Sequence, residues 1–377
     1  MVHMIKVLQV HGGMERGGTE SVIMNWYRNI DKSEIQFDFT TMQEHSCAYD
    51  DEIENMGGTI IYVPSRAKVG NLNHFKAIYK CIKENGPYDA VHSHMNYHGG
   101  LVALAAKLAG VKTIVCHAHN TEDVTEQTLK RKVETVVLRK LMHTCSTDLL
   151  ACGKEAGKFV FGENSKFKII NNAVAIEKFK PADEKMNKEI KLLKDKYDLN
   201  NKLILGHIGR FNIQKNHKFI VEILKGLKVR NSNFKFLFIG DGELKDEILN
   251  SIKENGLENN IVYLGLQSNI NVWLNIMDIL VFPSLFEGLP VVLVEAQSTG
   301  VPCLISDKIS RDVDLGLNLV KFLSINNDID IWVEEIINNN MKKENDKNKI
   351  KEQLKIEGYY LEDNIEIIKG IYKNKSK

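Results

Sequence analysis

The chain has 377 residues, with 50 lysines and arginines against 49 aspartates and glutamates and a formal net charge of +1. That balance leaves no basic footprint for nucleic acid, and 43% hydrophobic residues with only 6 prolines describe an ordered globular chain with ample core. No apolar run reaches bilayer-spanning length and no signal peptide is read before the first strand, so a cytoplasmic protein of about two domains is expected.

Strand and helix signals alternate from the start. Residues 5–11 read as a strand, and residues 19–30 carry helical spacing after the turn Gly12-Gly13-Met14-Glu15-Arg16-Gly17-Gly18-Thr19-Glu20. Glycines there let the backbone approach a ligand, and Thr19 is placed to cap the helix. The spacing does not fit GxGxxG, and no acidic residue closes a second strand as a dinucleotide site requires, so NAD is not expected. Strands are predicted next at 35–42, 59–63, 90–94, 112–117, 148–151 and 168–171, with helices between them at 100–108 and 129–142 among others. Such alternation predicts a parallel sheet covered by helices on both faces. The six cysteines (Cys47, Cys81, Cys116, Cys145, Cys152, Cys303) form no CxxC pair and suit reduced, buried thiols.

Ten of the twelve histidines precede residue 181, and two sets of them stand at strand ends. His92, His94 and His98 follow one predicted strand, His117 and His119 the next, so alternate rings share a face at the carboxyl edge of the sheet. A zinc site and hydrogen-bonded structural histidines are the competing readings. No thiolate or carboxylate stands at motif spacing beside them, so no metal is assigned. His119 is assigned a polar contact to substrate. The helix at 129–142 carries Lys130, Arg131, Lys132, Arg139 and Lys140 beside Val133, Val136, Val137 and Leu141. It either lies on an anionic membrane surface or buries its apolar stripe on the sheet and leaves its cations in water.

Near Pro181 the pattern breaks into Asp183-Glu184-Lys185, read as an interdomain link that divides residues 1–182 from residues 183–355. A second alternating unit follows, with strands at 203–208, 236–239, 261–264, 279–282 and 302–305. Two doubly wound domains are expected to bind ligand between the carboxyl ends of their strands. The segment Gly209-Arg210-Phe211-Asn212-Ile213-Gln214-Lys215-Asn216-His217 follows the first of these strands. Its Arg210 and Lys215 suit a diphosphate, whose charge must be neutralised as it leaves. After the fourth strand comes Phe286-Glu287-Gly288-Leu289-Pro290, with Glu295 one turn into the following helix. Gly288 supplies a tight turn, Pro290 suits the first helical position, and the unpaired amides of the helix start can bind a phosphate. Carboxylates on either side of it, Glu287 and Glu295, accept hydrogen bonds from a sugar and a ribose. The pairs Asp312-Val313-Asp314 and Asp328-Ile329-Asp330 lack the strand-end context of a metal-binding DxD motif. The charged stretch from about residue 343 ends in a helix at 359–372.

The segments Phe286-Glu287-Gly288-Leu289-Pro290…Glu295, Gly209-Arg210…Lys215-Asn216-His217, Gly240-Asp241-Gly242, Gly17-Gly18-Thr19-Glu20 and His117-Ala118-His119-Asn120 stand in one fixed order. Together they resemble the family 4 glycosyltransferases, most of all the capsular and exopolysaccharide members, over nearly the whole chain. The resemblance implies the α/β GT-B fold, two doubly wound Rossmann-like domains with a central cleft and the C-terminal helix, within residues 356–377, crossing back to the first domain. It implies retaining, metal-independent transfer from a nucleotide-diphosphate sugar, a UDP-hexose or UDP-N-acetylhexosamine, with no cofactor, to a saccharide or lipid-linked saccharide at the inner membrane face. Residue by residue, it implies Glu287 on donor-sugar hydroxyls, Glu295 on the ribose, Arg210 and Lys215 on the diphosphate with Gly288, Leu289, Gly17 and Gly18, and His119 near the sugar. Backbone around Gln267–Asn269 would hold the uracil. The alternatives are an epimerase or hydrolase of the same fold, which turns over without an acceptor, and a nucleotide-sugar-binding protein without transfer activity.

Overall fold

The computed structural model describes residues 3–120, 128–287, 289–326, 328–338 and 340–373. The chain forms two compact units, Met1–Ala173 with Leu361–Lys377, and Val174–Tyr360.

Among the described residues the first unit is built on seven strands: β1 (Ile5–Val10), β2 (Ile35–Thr41), β3 (Ile60–Tyr62), β4 (Ala90–Ser93), β5 (Thr113–Ala118), β6 (Asp148–Ala151) and β7 (Lys168–Ile169). They pair in parallel in the order β3-β2-β1-β4-β5-β6-β7. The order reverses between β1 and β4, the topological switch point at which such sheets leave a crevice at their carboxyl edge. Helices cover the sheet, so β4 and β5 are buried along their length and read as continuous runs rather than alternating ones. The core joins Leu8, Val10, Val91, Ile114 and Cys116 to Val102, Ala103, Ala106, Leu138 and Met142. Gly100 lets the helix Gly99–Ala109 lie close on the helix Leu129–Cys145, because a Cβ there would overlap the Leu138 carbonyl.

The second unit repeats the plan with β8 (Leu203–Ile208), β9 (Phe234–Ile239), β10 (Ile261–Gly265), β11 (Ile279–Phe282), β12 (Cys303–Ser306) and β13 (Val320–Leu323), in the parallel order β10-β9-β8-β11-β12-β13. Its switch point lies between β8 and β11. Phe211, Phe234, Phe236, Phe238 and Trp332 fill the core with Leu205, Val281 and Leu304.

Three expectations need correction. Asp183-Glu184-Lys185 is not a linker: Asp183 caps the helix Glu184–Lys196, accepting from the Met186 amide at 3.0 Å. Residues 174–182 join the second unit, because Asn275 donates to the Lys180 carbonyl at 3.0 Å and accepts from the Ala182 amide at 2.8 Å. Residues 356–360 also stay with the second unit, where the Val174 amide bonds the Tyr359 carbonyl at 3.2 Å. The strand β13 and the helix Lys347–Ile356 were not anticipated.

The last helix, Leu361–Lys373, belongs to the first unit. Asn364 donates to the Asn171 carbonyl at 2.8 Å, and Lys369 and Lys373 reach Glu34 at 3.4 and 2.9 Å. All six cysteines are free and buried. Among the described residues no helix is long and apolar enough to cross a membrane.

Candidate active site

In the second unit the loops after β8 and β11 are laced together. The Leu285 amide donates to the Gln214 carbonyl at 2.8 Å, Gln214 Nε2 to the Phe286 carbonyl at 3.0 Å, and Asn216 Nδ2 to the Pro283 carbonyl at 3.1 Å. Asn216 adopts φ 55°, a left-handed conformation asparagine tolerates, as the helix His217–Arg230 begins. This lacing brings Lys215 Nζ to 2.5 Å from Glu287 Oε1, with the side chains 15% and 8% exposed. The same ammonium sits 4.5 Å from the centre of the Phe282 ring. The loops after β8 and β11 thus meet at an ion pair between Lys215 and Glu287, a contact their spacing in the chain does not give.

Glycine makes the closeness possible. A side chain at Gly209 would meet His207 Nε2 at 3.0 Å and Lys215 Cδ at 3.2 Å, and one at Gly240 (φ 140°) would overlap the Gly209 carbonyl. Arg210 does not join the pair. Its side chain is exposed and lies 3.3 Å from Glu243. Gly288 lies outside the described residues. Leu289 is half-buried, and Pro290 stands at the N-cap rather than the first position of the helix Val291–Ser298. Glu295 is one turn in, where burial pushes its carboxyl up to about 7 and Lys178 pulls the other way. The side-chain oxygens of Gln267 and Asn269 both accept from Trp273 Nε1, at 3.3 and 3.2 Å.

In the first unit the predicted cap differs. The helix Gly18–Asn29 is preceded by Gly17 as N-cap with no side-chain cap, and Thr19 lies inside the first turn. The Glu20 carboxylate folds over Gly17 into the space a Cβ would need, so a side chain there would have to push that carboxylate aside. Glu20 also lies 3.8 Å from His11 Nε2.

The histidines collect at the carboxyl ends of β4 and β5 as two stacked pairs. His92 stacks on His94 and His117 on His119, each with ring centres 4.3 Å apart. His92 Nε2 is 3.2 Å from His117 Nδ1, and His94 Nδ1 is 2.9 Å from His119 Nε2. Gln9 from β1, Trp26 and Tyr372 complete the setting; Trp26 stacks on His92 and His117. Burial holds all four rings well below the usual histidine range, His117 down to about 3, so they are neutral. His92, His94 and His117 can bring one nitrogen each within 4.8 Å of one another, as a metal site would. Both nitrogens of His92 and of His94 are already hydrogen-bonded, so an ion would have to displace those bonds. His98 lies apart, half-buried, with its pKa pushed down to about 4, chiefly by desolvation.

Sequence reasoning missed Gln9, Tyr372, Phe282, Lys178 and Glu243. Gln9 carried a signal, a polar residue inside an apolar strand, and it is fully buried. Tyr372 carried none, because its partner lies 363 residues away in the chain.

Comparison with known proteins covers both units. The family described as Glycosyltransferase Family 4 matches residues 16–178, and that described as Glycosyl transferases group 1 matches residues 189–357. EpsF of Bacillus subtilis, assigned as a glycosyltransferase, is 40% identical over 371 residues, covering 97% of this chain and 96% of its own. The UDP-Gal:alpha-D-GlcNAc-diphosphoundecaprenol alpha-1,3-galactosyltransferase of Escherichia coli is 28% identical over 357 residues, 89% of each chain. Among solved structures, Anabaena HepE in complex with UDP-glucose superposes with a TM-score of 0.78 at 16% identity, covering 99% of this chain and 100% of that one. That likeness fixes the fold as GT-B, as the resemblance implied.

Proposed function

The chain belongs to glycosyltransferase family 4, and from that premise we propose that it moves a hexose or N-acetylhexosamine from a UDP-sugar to a lipid-linked saccharide in capsule or exopolysaccharide synthesis. The observation that carries the reading is the Lys215–Glu287 pair at the switch point of the second sheet. Breaking a glycosyl–phosphate bond builds positive charge on the sugar carbon and negative charge on the leaving diphosphate. In this reading Lys215, with Arg210 and the amides that open the helix Val291–Ser298, stabilises the diphosphate, while Glu287 accepts from donor-sugar hydroxyls and Glu295 from the ribose. His119 accepts from a sugar hydroxyl.

Transfer is assigned as retaining and metal-independent. The sugar carbon–oxygen bond to phosphate breaks, the acceptor oxygen bonds that carbon on the same face, and the acceptor's proton passes to the departing phosphate oxygen. The hydrogen bonds that already occupy His92 and His94 favour a site without a metal. A lipid-linked acceptor is supported by the Escherichia coli relative, whose name specifies a diphosphoundecaprenol acceptor.

We also assign peripheral membrane contact to the helix Leu129–Cys145. It buries Leu138 and Met142, yet Leu129, Val133, Val136 and Val137 stay 80%, 58%, 63% and 52% exposed. Lys132 and Lys140 are exposed along the same helix, whereas Arg139 is tied to the carbonyls of Val160 and Phe159 at 3.0 and 2.9 Å. The Lys130 side chain lies outside what the structure describes. An apolar stripe with cations beside it suits an anionic lipid surface.

The test is a thermal-shift screen of nucleotide sugars, followed by UDP release from the best donor with and without polyprenyl-diphosphate saccharides and EDTA. Acceptor-dependent, EDTA-resistant release is expected, and a strongly stabilising ligand names the donor. Release without acceptor points to a hydrolase or epimerase, binding without release to a sensor, and EDTA-sensitive release to a metal at the histidines.

A further inference from the structure

We propose that Glu15, His45 and Cys47 form a zinc site that ties the glycine-rich loop after β1 to the loop after β2. The site lies outside the transfer reading above, which gives none of the three residues a part.

Two loops bring the donors together. Glu15 stands in the turn after β1, and His45 and Cys47 lie between β2 and the short helix Asp50–Asn55. Backbone bonds lace the loops: the Met42 amide donates to the Gly12 carbonyl at 2.9 Å, and the Tyr49 amide to the Met14 carbonyl at 3.0 Å. Gly13 permits the approach, since a Cβ there would meet Gln43 Cγ at 2.8 Å and Cys47 Sγ at 3.1 Å. Glu15 Oε2 accepts from the Ala48 amide at 3.2 Å, while its Oε1 lies 3.3 Å from His45 Nε2. One ligand atom each from Glu15, His45 and Cys47 falls within 4.8 Å of the other two. Zinc bonds of about 2.0–2.3 Å set the ligand atoms of a tetrahedron about 3.3–3.8 Å apart. The His45 and Glu15 side chains are 67% and 48% exposed, so small rotations close the difference. Cys47, 5% exposed, is the fixed member.

Asp50 points to a cation independently. It is 9% exposed, and its Oδ2 accepts from the Cys47 amide at 2.7 Å. Its Oδ1 is buried with no partner among the described residues. A buried carboxylate oxygen without a donor is costly, and a cation with its bound water beside the thiol offsets that cost. Burial, and after it the negative charge of Asp50, push the Cys47 thiol up, so the thiol alone is unreactive. A divalent ion inverts that balance. Cys47 then gives one proton to water and its sulfur bonds the metal, with no change of oxidation state. His45 binds through a ring nitrogen whose partner nitrogen keeps the proton, and Glu15 through one oxygen. Three protein ligands leave a fourth position to water, and His45 and Asp50 both line a cavity of about 500 Å³ that is open to solvent. Thiolate and imidazole select zinc, whereas magnesium and calcium favour oxygen ligands.

Cobalt(II) reads the site, because a cysteine thiolate on cobalt adds a charge-transfer band in the near ultraviolet. Full-length protein stripped with EDTA and dialysed under reducing conditions is expected to bind a single cobalt with that band, and zinc should displace it. Cys47→Ser should abolish the band. His45→Ala and Glu15→Ala should each weaken zinc by at least about tenfold in competition with a chromophoric chelator, since outer-shell partners alone are worth about 10–100-fold. Zinc should raise the melting temperature of the parent and not that of His45→Ala, and magnesium or calcium should raise neither. His45 is exposed, so its replacement reads the site even where Cys47→Ser fails to fold. Cobalt bound without the thiolate band would place the ion at His92, His94 and His117, which carry no thiol, and would overturn the proposal. A band that survives Cys47→Ser, or zinc held equally by the parent and His45→Ala, would do the same. A protein that binds zinc here and moves no sugar keeps this site and loses the functional reading.

Discussion

Lys215 donates to Glu287 at 2.5 Å from a different loop of the second sheet, and the two side chains are only 15% and 8% exposed. The pair holds the two loops in register before any ligand arrives. A donor diphosphate would then compete with Glu287 for the ammonium, freeing the carboxylate for hydroxyls.

Removing one partner should therefore cost more than removing both. Lys215→Met leaves a buried, uncompensated carboxylate, and a destabilisation of about 3–5 kcal/mol is expected from urea unfolding. Lys215→Met combined with Glu287→Leu should recover most of it, since both charges are gone, while transfer is lost in both. A single variant within about 1 kcal/mol of the parent would mean that water screens the pair after all.

If Glu295 holds the ribose as proposed, nucleotide binding should depend on pH. Its folded carboxyl titrates at about 7, above the unfolded value, so the native state binds the extra proton and this group's contribution to stability falls as pH rises from about 4.5 to 7. Ribose hydroxyls donating to the carboxylate favour its ionised form, so UDP binding at pH 6–7 should release a proton and tighten as pH rises toward 8. Calorimetry in two buffers of different ionisation enthalpy reads the proton directly. Glu295→Gln should abolish its release, and an equal release from that variant would remove Glu295 from the ribose site.

The exposed stripe of the helix Leu129–Cys145 gives a surface prediction. Val133→Asp with Val137→Asp should cut sedimentation with phosphatidylglycerol vesicles at least tenfold and leave the melting temperature within a few degrees, because both positions are exposed. Neutral phosphatidylcholine vesicles should bind weakly in either case. Equal sedimentation of parent and variant on anionic vesicles would end the membrane assignment.

Most of the architecture was legible because buried parallel strands are dense apolar runs, such as Ile279–Phe282, and because glycine and charge mark the loops that follow them. The strand Val320–Leu323 escaped notice for the opposite reason: it is a half-buried sheet edge, and its Lys321 is paired with Glu335 at 2.6 Å. The helix Lys347–Ile356 hides among charges, with Ile350 and Leu354 its buried residues. Glu287 and Lys215 were recognisable one by one, whereas their contact depends on backbone lacing that spacing does not encode. Arg210 looked equivalent to Lys215 in the sequence, yet its exposed side chain turns to Glu243. The site around His119 was half legible. Its rings follow from strand-end spacing, but their hydrogen-bond partners include Gln9 and a tyrosine remote in the chain.

That tyrosine has a consequence for synthesis. With Leu361–Lys373 completing the unit that begins at the N-terminus, the second unit is an insertion within the first. A ribosome therefore makes and releases the whole inserted unit while the earlier one still lacks Tyr372 over His92. Of the two units, the one whose synthesis starts earlier is the later to be finished, and a nonsense codon just before Tyr372 would damage the histidine cluster while leaving the second unit whole.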